Sequence, residues 1–248
     1  MFTGIVQGQA RISHLEDLPG LRRLRLALPG RFGDGLAIGA SVACDGTCLT
    51  VTALHAQDDG RIAEADFDVM QQTLSITTLG ARVAGDALNV ERAAPEGAEV
   101  GGHVLSGHVD GCGEVLLVRE PDHNRVLRIG APLPLRRYLF AKGYVAVNGA
   151  SLTMAEVDRD AGWFEVWLIP ETLRITSFGA LLPGAAVNIE VERQTQVIVD
   201  TVHDVARAML ADALRGQLAD VMRVEVQGQV RAALAGLPVA PPTVASGR

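Results

Sequence analysis

Two small nucleophile-type side chains stand at matching points of this sequence. Cys48 lies in Asp45-Gly-Thr-Cys-Leu-Thr-Val51, and Ser151 lies 103 positions later in Asn148-Gly-Ala-Ser-Leu-Thr-Met154. Each comes just after an Asx-Gly pair and is followed by Leu and Thr, which adds hydroxyls at Thr50 and Thr153. Between them runs Gly101-Gly-His-Val-Leu-Ser-Gly-His-Val-Asp110, with His103 and His108 on a stretch that has almost no bulk. Histidine is the side chain whose unperturbed pKa suits acid–base work near neutrality. Hydroxyls beside backbone N–H and C=O groups at a barrel mouth suit a flat polar heterocycle. Taken singly, none of these residues decides a function. Cys48 alone reads as a small buried apolar residue, and Ser151 has no GxSxG elbow around it. His103 and His108 would fall on opposite faces of a regular strand. No third ligand is evident, so a shared metal is not expected.

The matching is part of a tandem repeat. Thr3-Gly4 corresponds to Ser106-Gly107 at the same offset of 103. Thr73-Leu-Ser-Ile-Thr-Thr-Leu-Gly80 corresponds to Thr172-Leu-Arg-Ile-Thr-Ser-Phe-Gly179, and Asn89-Val-Glu91 to Asn188-Ile-Glu190, both at 99. A period near 100 is too long for a solenoid, so each copy is expected to be a domain with its own core. Two copies imply two similar pockets for two similar molecules. His108 stands where the first copy has Ile5, with Gln7 nearby, and the first copy has no histidine in this region. Proton-transfer groups are therefore expected in one copy only.

The elements that must position these groups read as short strands. Leu24–Leu28 alternates, and Ala40–Ala43 enters the Asp45-Gly46 turn that Cys48–Leu54 leaves. Period-two apolar residues around a two-residue Asx-Gly turn predict a hairpin, with Asn148-Gly149 as its type I′ counterpart between Tyr144 and Met154. Thr73–Thr78 reads as one helical turn between the strands Ala65–Met70 and Gly85–Glu91. Pro134–Lys142 reads as a short helix capped by Gly143. Evenly spaced short strands predict a closed antiparallel barrel in each copy. From about Thr195, Ile198, Val202, Val205 and Met209 recur at helical spacing. That stripe needs a cover, either the chain's own barrels or copies of itself. Arg223–Leu237 reads as a second helix and Pro238–Arg248 as a disordered tail.

Composition bounds the rest. The 248 residues suit two domains of this size plus a remainder, and 48% hydrophobic content can fill two cores. A net charge of −7 with no Lys/Arg block argues against nucleic-acid or anionic-membrane partners. Three cysteines without a CxxC make neither a disulfide framework nor a zinc site. With no signal-like N-terminus and no long apolar run, a soluble cytoplasmic protein is expected.

Six motifs, taken together, resemble riboflavin synthase of the alpha-chain type: Met1-Phe-Thr-Gly-Ile-Val, Cys48-Leu-Thr-Val, the stretch from Gly101 to Asp110, Asn148-Gly-Ala-Ser-Leu-Thr, Leu168-Ile-Pro-Glu-Thr-Leu and Gln194-Thr-Gln. The resemblance runs from residue 1 to about 207. It implies an all-β fold of two tandem six-stranded antiparallel Greek-key barrels followed by a C-terminal α-helix. It places an N-terminal lumazine-binding barrel at 1–97, a second at 98–193, an oligomerisation helix at 194–216 and a helical or disordered extension at 217–248. It implies a cofactor-free, metal-free dismutation of two 6,7-dimethyl-8-ribityllumazine molecules. A four-carbon unit moves between them, giving riboflavin and 5-amino-6-(ribitylamino)uracil. It also implies a homotrimer whose active site forms between the N-terminal barrel of one subunit and the C-terminal barrel of a neighbour.

Carried over residue by residue, the first pocket is Gly4, Ile5, Val6, Cys48, Leu49, Thr50, Asp68, Val69, Met70, Gln71, Gln72 and Thr73. The second is Gly107, His108, Val109, Lys142, Ala150, Ser151, Leu152, Leu168, Ile169, Pro170, Glu171, Thr172 and Leu173. His108, Ser151 and Thr153 are the candidates for moving protons. Cys48 would touch the other molecule, through its thiol or by adding to the ring. Where some relatives have Asp, this chain has Glu192, expected to orient Ser151 or His108. A monomeric antenna protein with one bound lumazine is the competing reading, and the polar residues kept in both copies speak against it. A flavin-binding module of a reductase would need a following GxGxxG domain, which is absent from the sequence.

Overall fold

The computed structural model describes residues 1–235. The first barrel is built from β1 (Gly8–Leu18), β2 (Leu21–Ala27), β3 (Ser41–Cys44), β4 (Thr47–Ala56), β5 (Ile62–Met70) and β6 (Ala87–Arg92). They close in the order β1-β2-β5-β4-β3-β6, with every pairing antiparallel. The second barrel uses β7 (Gly111–Arg119), β8 (Arg125–Gly130), β9 (Tyr144–Val147), β10 (Ala150–Asp158), β11 (Trp163–Leu168) and β12 (Ala186–Val191). Its circular order, β7-β8-β11-β10-β9-β12, is the same topology again. Closure leaves no free sheet edge to pair with a stranger.

Strand alternation decides which side chains fill each barrel. In β4, Leu49 and Val51 are buried in the core with Leu24, Leu26, Phe67 and Val69. Cys48 and Thr50, on the alternate positions, look outward. Cys48 and Thr50, expected at a barrel mouth, thus sit on the outside of the hairpin. Both hairpins carry the expected turn. Asp45 and Gly46 have φ of 45° and 82°, and Asn148 and Gly149 have 42° and 78°. That double left-handed geometry is the type I′ turn, which Asx-Gly pairs favour.

A short helix follows the fifth strand of each barrel, as the helical turn read at Thr73–Thr78 anticipates in the first copy. β5 stops at Met70 and α1 (Gln71–Ile76) follows; β11 stops at Leu168 and α2 (Pro170–Ile175) follows. Pro170 opens α2 because its missing N–H is not needed in a first turn. A 3-10 turn completes each unit, at Thr78–Ala81 and Ser177–Ala180. The helix read at Pro134–Lys142 is a shorter 3-10 turn, Leu133–Tyr138. Lys142 itself, with φ of 67°, takes the left-handed position expected of Gly143.

The glycine-rich stretch from Gly101 to Asp110 is not a strand. Within it only Leu105 forms a β-bridge, a two-way pairing with Phe2 at 2.9 and 3.0 Å. Phe2, Leu105, Ala43 and Ala146 form a small apolar core at the seam between the barrels. There the two hairpin turns meet closely enough that a Cβ on Gly46 would lie 2.7 Å from the Gly149 nitrogen.

The last element, α3, runs unbroken over Arg193–Ala235. A separate helix starting at Arg223 is therefore corrected: Gly216 and Gly228 are tolerated inside one long helix. Leu237 and the tail Pro238–Arg248 lie outside the described residues. Met1–Val197 forms one compact unit, and the chain from Ile198 forms another. Along α3, Ile198, Val202, Val205 and Met209 are each more than half exposed. No helix among the described residues is long and apolar enough to cross a membrane.

Candidate active site

Each copy begins with a lead segment clamped by a buried glutamate. Glu91 accepts from the Thr3 nitrogen (2.6 Å), the Thr3 hydroxyl (2.8 Å) and the Gly4 nitrogen (3.0 Å). Glu190 repeats this with Ser106 N (2.8 Å), Ser106 Oγ (2.7 Å) and Gly107 N (3.1 Å). Burial pushes both carboxyls above their ordinary range, and the three donors at each oppose it.

Beyond the clamp the leads cross over. The Ser151 nitrogen donates to Gly4 O at 2.9 Å, and the Cys48 nitrogen donates to Gly107 O at 2.8 Å. Gly4 and Gly107 have φ of 75° and 78°, and a Cβ on either would lie 2.5 Å from Ser151 Cβ or 2.6 Å from Cys48 Cβ. Only glycine accepts both the angle and the contact. The crossing regroups the residues inferred from sequence. Gly4, Ile5 and Val6 join Ala150, Ser151, Glu171 and Thr172 around a shallow pocket of about 190 Å³. The lead carrying His108 and Val109 instead reaches Cys48 through Gly107.

Ser151 has a histidine partner, and it is His103. The Ser151 Oγ and His103 Nδ1 atoms are 2.6 Å apart. The imidazole is buried, stacks on Tyr144 with ring centroids 5.1 Å apart, and has no hydrogen-bond partner for Nε2 among the described residues. Burial pushes the His103 pKa below its ordinary value, and the Glu192 carboxylate pulls it partly back. Glu192 bonds neither Ser151 nor His108. It accepts from the Thr195 hydroxyl at 2.5 Å, at the head of α3. His108 is exposed, and its backbone nitrogen donates to Ser106 Oγ at 3.2 Å. One sign of His103's place is legible in the sequence: the glycine pair in front of it. A Cβ on Gly102 would meet Thr3 O at 2.4 Å and Ser151 Cβ at 2.6 Å.

The remaining expected site residues divide by exposure. Thr50 and Thr153 are exposed on the outward faces of β4 and β10, and Leu152 is half-buried. Leu49, Val69 and Leu168 point into the barrel cores. Asp68 is engaged by Arg23 through two hydrogen bonds of 2.8 and 3.1 Å. Met70 and Ile169 are exposed where α1 and α2 begin, followed by Gln71, Gln72 and Thr73 on one helix and Pro170 and Leu173 on the other. Lys142 is exposed on its left-handed turn. A wider groove of about 820 Å³ adjoins Ile5, but its one hydroxyl, Thr3, is held by Glu91. Among the described residues no group of three or more His, Cys, Asp or Glu side chains could hold a metal ion.

Two copies of one barrel, with crossed leads and a hydroxyl–imidazole pair beside a pocket, define a duplicated ligand-binding fold. The family model for the lumazine binding domain matches residues 3–93 and 106–192. The chain is 43% identical over 209 residues to riboflavin synthase of Escherichia coli (strain K12), covering 84% of this chain and 94% of that one. It is 41% identical over 202 residues to riboflavin synthase of Chlamydia pneumoniae, covering 82% and 95%. The chain belongs to the riboflavin synthase family. It is accordingly an enzyme, a transferase that dismutates two 6,7-dimethyl-8-ribityllumazine molecules. Among solved structures, LumP complexed with 6,7-dimethyl-8-(1'-D-ribityl) lumazine superposes with a TM-score of 0.69 at 22% identity, over 78% of this chain and all of that one. LumP complexed with riboflavin gives 0.70 at 24% identity, with the same coverage. These two likenesses show the fold.

Proposed function

We propose that proton abstraction in this dismutation is carried out by the Ser151–His103 pair, on a lumazine held between the Gly4–Val6 lead and α2. The observation that carries the proposal is the 2.6 Å contact between a half-buried hydroxyl and a buried imidazole that desolvation keeps neutral. The 7-methyl group of the lumazine is acidic because its carbanion delocalises into the ring, so a modest base suffices. Ser151 Oγ takes the methyl proton while its own proton passes to His103 Nδ1. The resulting imidazolium is stabilised by the Glu192 charge. The second lumazine lies at the equivalent place beside Cys48, Gly107 and α1, with the Cys48 thiol against it. Bringing both molecules together turns a bimolecular encounter into a step within one complex.

The pocket beside Ser151, about 190 Å³, falls short of the roughly 300–1,000 Å³ usual for small-molecule sites. In this reading it is half a site, and a neighbouring subunit supplies the other wall within a homotrimer joined through α3. The same reading puts the enzyme in the cytoplasm, where Cys44, Cys48 and Cys112, all free, stay reduced.

The test is to mix purified protein with 6,7-dimethyl-8-ribityllumazine and chelator, and to follow riboflavin by chromatography. Two lumazines lost per riboflavin formed is the expected result. Tight lumazine binding without riboflavin would overturn it in favour of a binding protein. That alternative rests on the fold shared with LumP, whose structures hold lumazine and riboflavin.

A further inference from the structure

Two buried asparagines outside the site join each pocket to the opposite barrel. We infer that Asn89 and Asn188 are positioning residues, each setting the pocket of the barrel to which it does not belong; the inference rests on the two-pocket reading above. Asn188, on β12 of the second barrel, accepts from the Thr78 nitrogen at 2.7 Å and donates through Nδ2 to Asp45 O at 2.8 Å. Thr78 opens the 3-10 turn that follows α1, and Asp45 opens the turn that leads to Cys48. Two walls of the first pocket therefore hang on one residue of the second barrel. Asn89, on β6 of the first barrel, mirrors this. It accepts from the Ser177 nitrogen at 2.7 Å and donates to Asn148 O at 3.0 Å, fixing the turn after α2 and the turn before Ser151.

Both asparagines are 1% exposed, and neither can swing away. The Asn89 nitrogen donates to Asp45 Oδ1 at 2.8 Å, and the Asn188 nitrogen to Asn148 Oδ1 at 2.7 Å. One planar amide supplies the acceptor and the donor that each task needs. Aspartate would lack the donor, leucine would lack both groups, and glutamine would be a methylene too long. The duplication thus makes each barrel the scaffold of its sister's pocket.

The experiment compares Asn89→Ala and Asn188→Ala with Ser177→Pro and Thr78→Pro, each of which removes the backbone N–H together with a hydroxyl that makes no hydrogen bond among the described residues. Ser177 and Thr78 open their 3-10 turns, and the preceding Thr176 and Thr77 are already extended (ψ of 166° and 164°), as a residue before proline prefers. Hydrogen–deuterium exchange of segments 71–81 and 170–180 is read with and without saturating 6,7-dimethyl-8-ribityllumazine. Asn89→Ala and Ser177→Pro should speed exchange in 170–180 about tenfold or more and abolish ligand protection there, leaving 71–81 unchanged. Asn188→Ala and Thr78→Pro should do the reverse. Loosening confined to the substituted asparagine's own barrel, equal loosening of both segments, or no loosening would each overturn the inference. If the alanine variants fail to fold, the proline variants decide it alone. Lumazine that protects neither segment in the unaltered chain would overturn the ligand reading instead, and the ligand-free pattern would still decide the crossing.

Discussion

At the scale of single residues, the proposed chemistry turns on the contact between Ser151 and His103. Ser151→Ala removes the hydroxyl but neither the pocket nor the imidazole. Turnover should fall by roughly 10²–10⁴, the usual worth of positioned acid–base catalysis, with KM moving only a few-fold. Steady-state kinetics with lumazine checks this, and turnover within a few-fold of the unaltered enzyme would remove Ser151 from the chemistry. His103 gives the pH dependence. Its folded pKa is lowered, so it is neutral and able to accept a proton at neutrality, and the acid limb of kcat/KM should lie below an ordinary histidine's ~6.5. Glu192 is the group pulling that pKa back up. Glu192→Gln should therefore move the acid limb to lower pH, and it should lower kcat because the imidazolium loses its counter-charge. A limb that stays in place or moves up would separate Glu192 from His103.

At the scale of elements, the two type I′ turns are legible in the sequence because Asx-Gly pairs between alternating strands leave little choice. The short helices after β5 and β11 are half legible, through Pro170 and the repeated Thr-Leu-x-Ile-Thr. The crossed leads are not legible. A repeat groups residues by copy, which puts Gly4 with the Cys48 hairpin and Gly107 with the Ser151 hairpin. Nothing local to either glycine says that the neighbour filling its missing Cβ comes from the other copy. The pairing of His103 is hidden for a similar reason, since its partner lies 48 positions away on another element. The turns also differ in one way that can be measured. Asp45 is fully buried, accepts from Asn89 N and Arg82 at 2.8 Å each, and has its pKa raised to about 6, chiefly by burial; its counterpart is the neutral Asn148. A folded pKa above the unfolded value means that the folded state binds the proton first. Asp45 should therefore add stability as pH falls from about 6 towards the ordinary aspartate value of 3.8, on the order of 1–3 kcal/mol. Glu91, Glu190 and Asp110 act in the same direction, so the comparison must be made against Asp45→Asn. Chemical unfolding at about pH 4.5 and 7.5, on either side of that raised value, should show a smaller gain on acidification in the variant, and an equal gain would contradict the assignment.

At the scale of the whole molecule, the proposed reading has the duplication give one chain two half-sites and complete neither. Every group proposed to take part in the chemistry lies before Arg193, and Met1–Val197 is a compact unit. The remainder of α3 contributes an exposed apolar stripe at Ile198, Val202, Val205 and Met209, the spacing by which helices pack on copies of themselves. If that stripe holds the trimer and the trimer closes the half-sites, two truncations should differ sharply. A chain ending at Val197 should keep both barrels folded, sediment as a monomer and lose turnover about 100-fold or more, because no second wall brings the two lumazines together. A chain ending at Leu214 keeps the stripe, so it should remain trimeric and turn over within about twofold of the full-length protein. Analytical ultracentrifugation, circular dichroism and riboflavin production on the same preparations give all three readouts. A folded, fully active monomer from the shorter chain would mean that both lumazines are housed within one subunit. The pocket of about 190 Å³ would then have to enlarge to hold them.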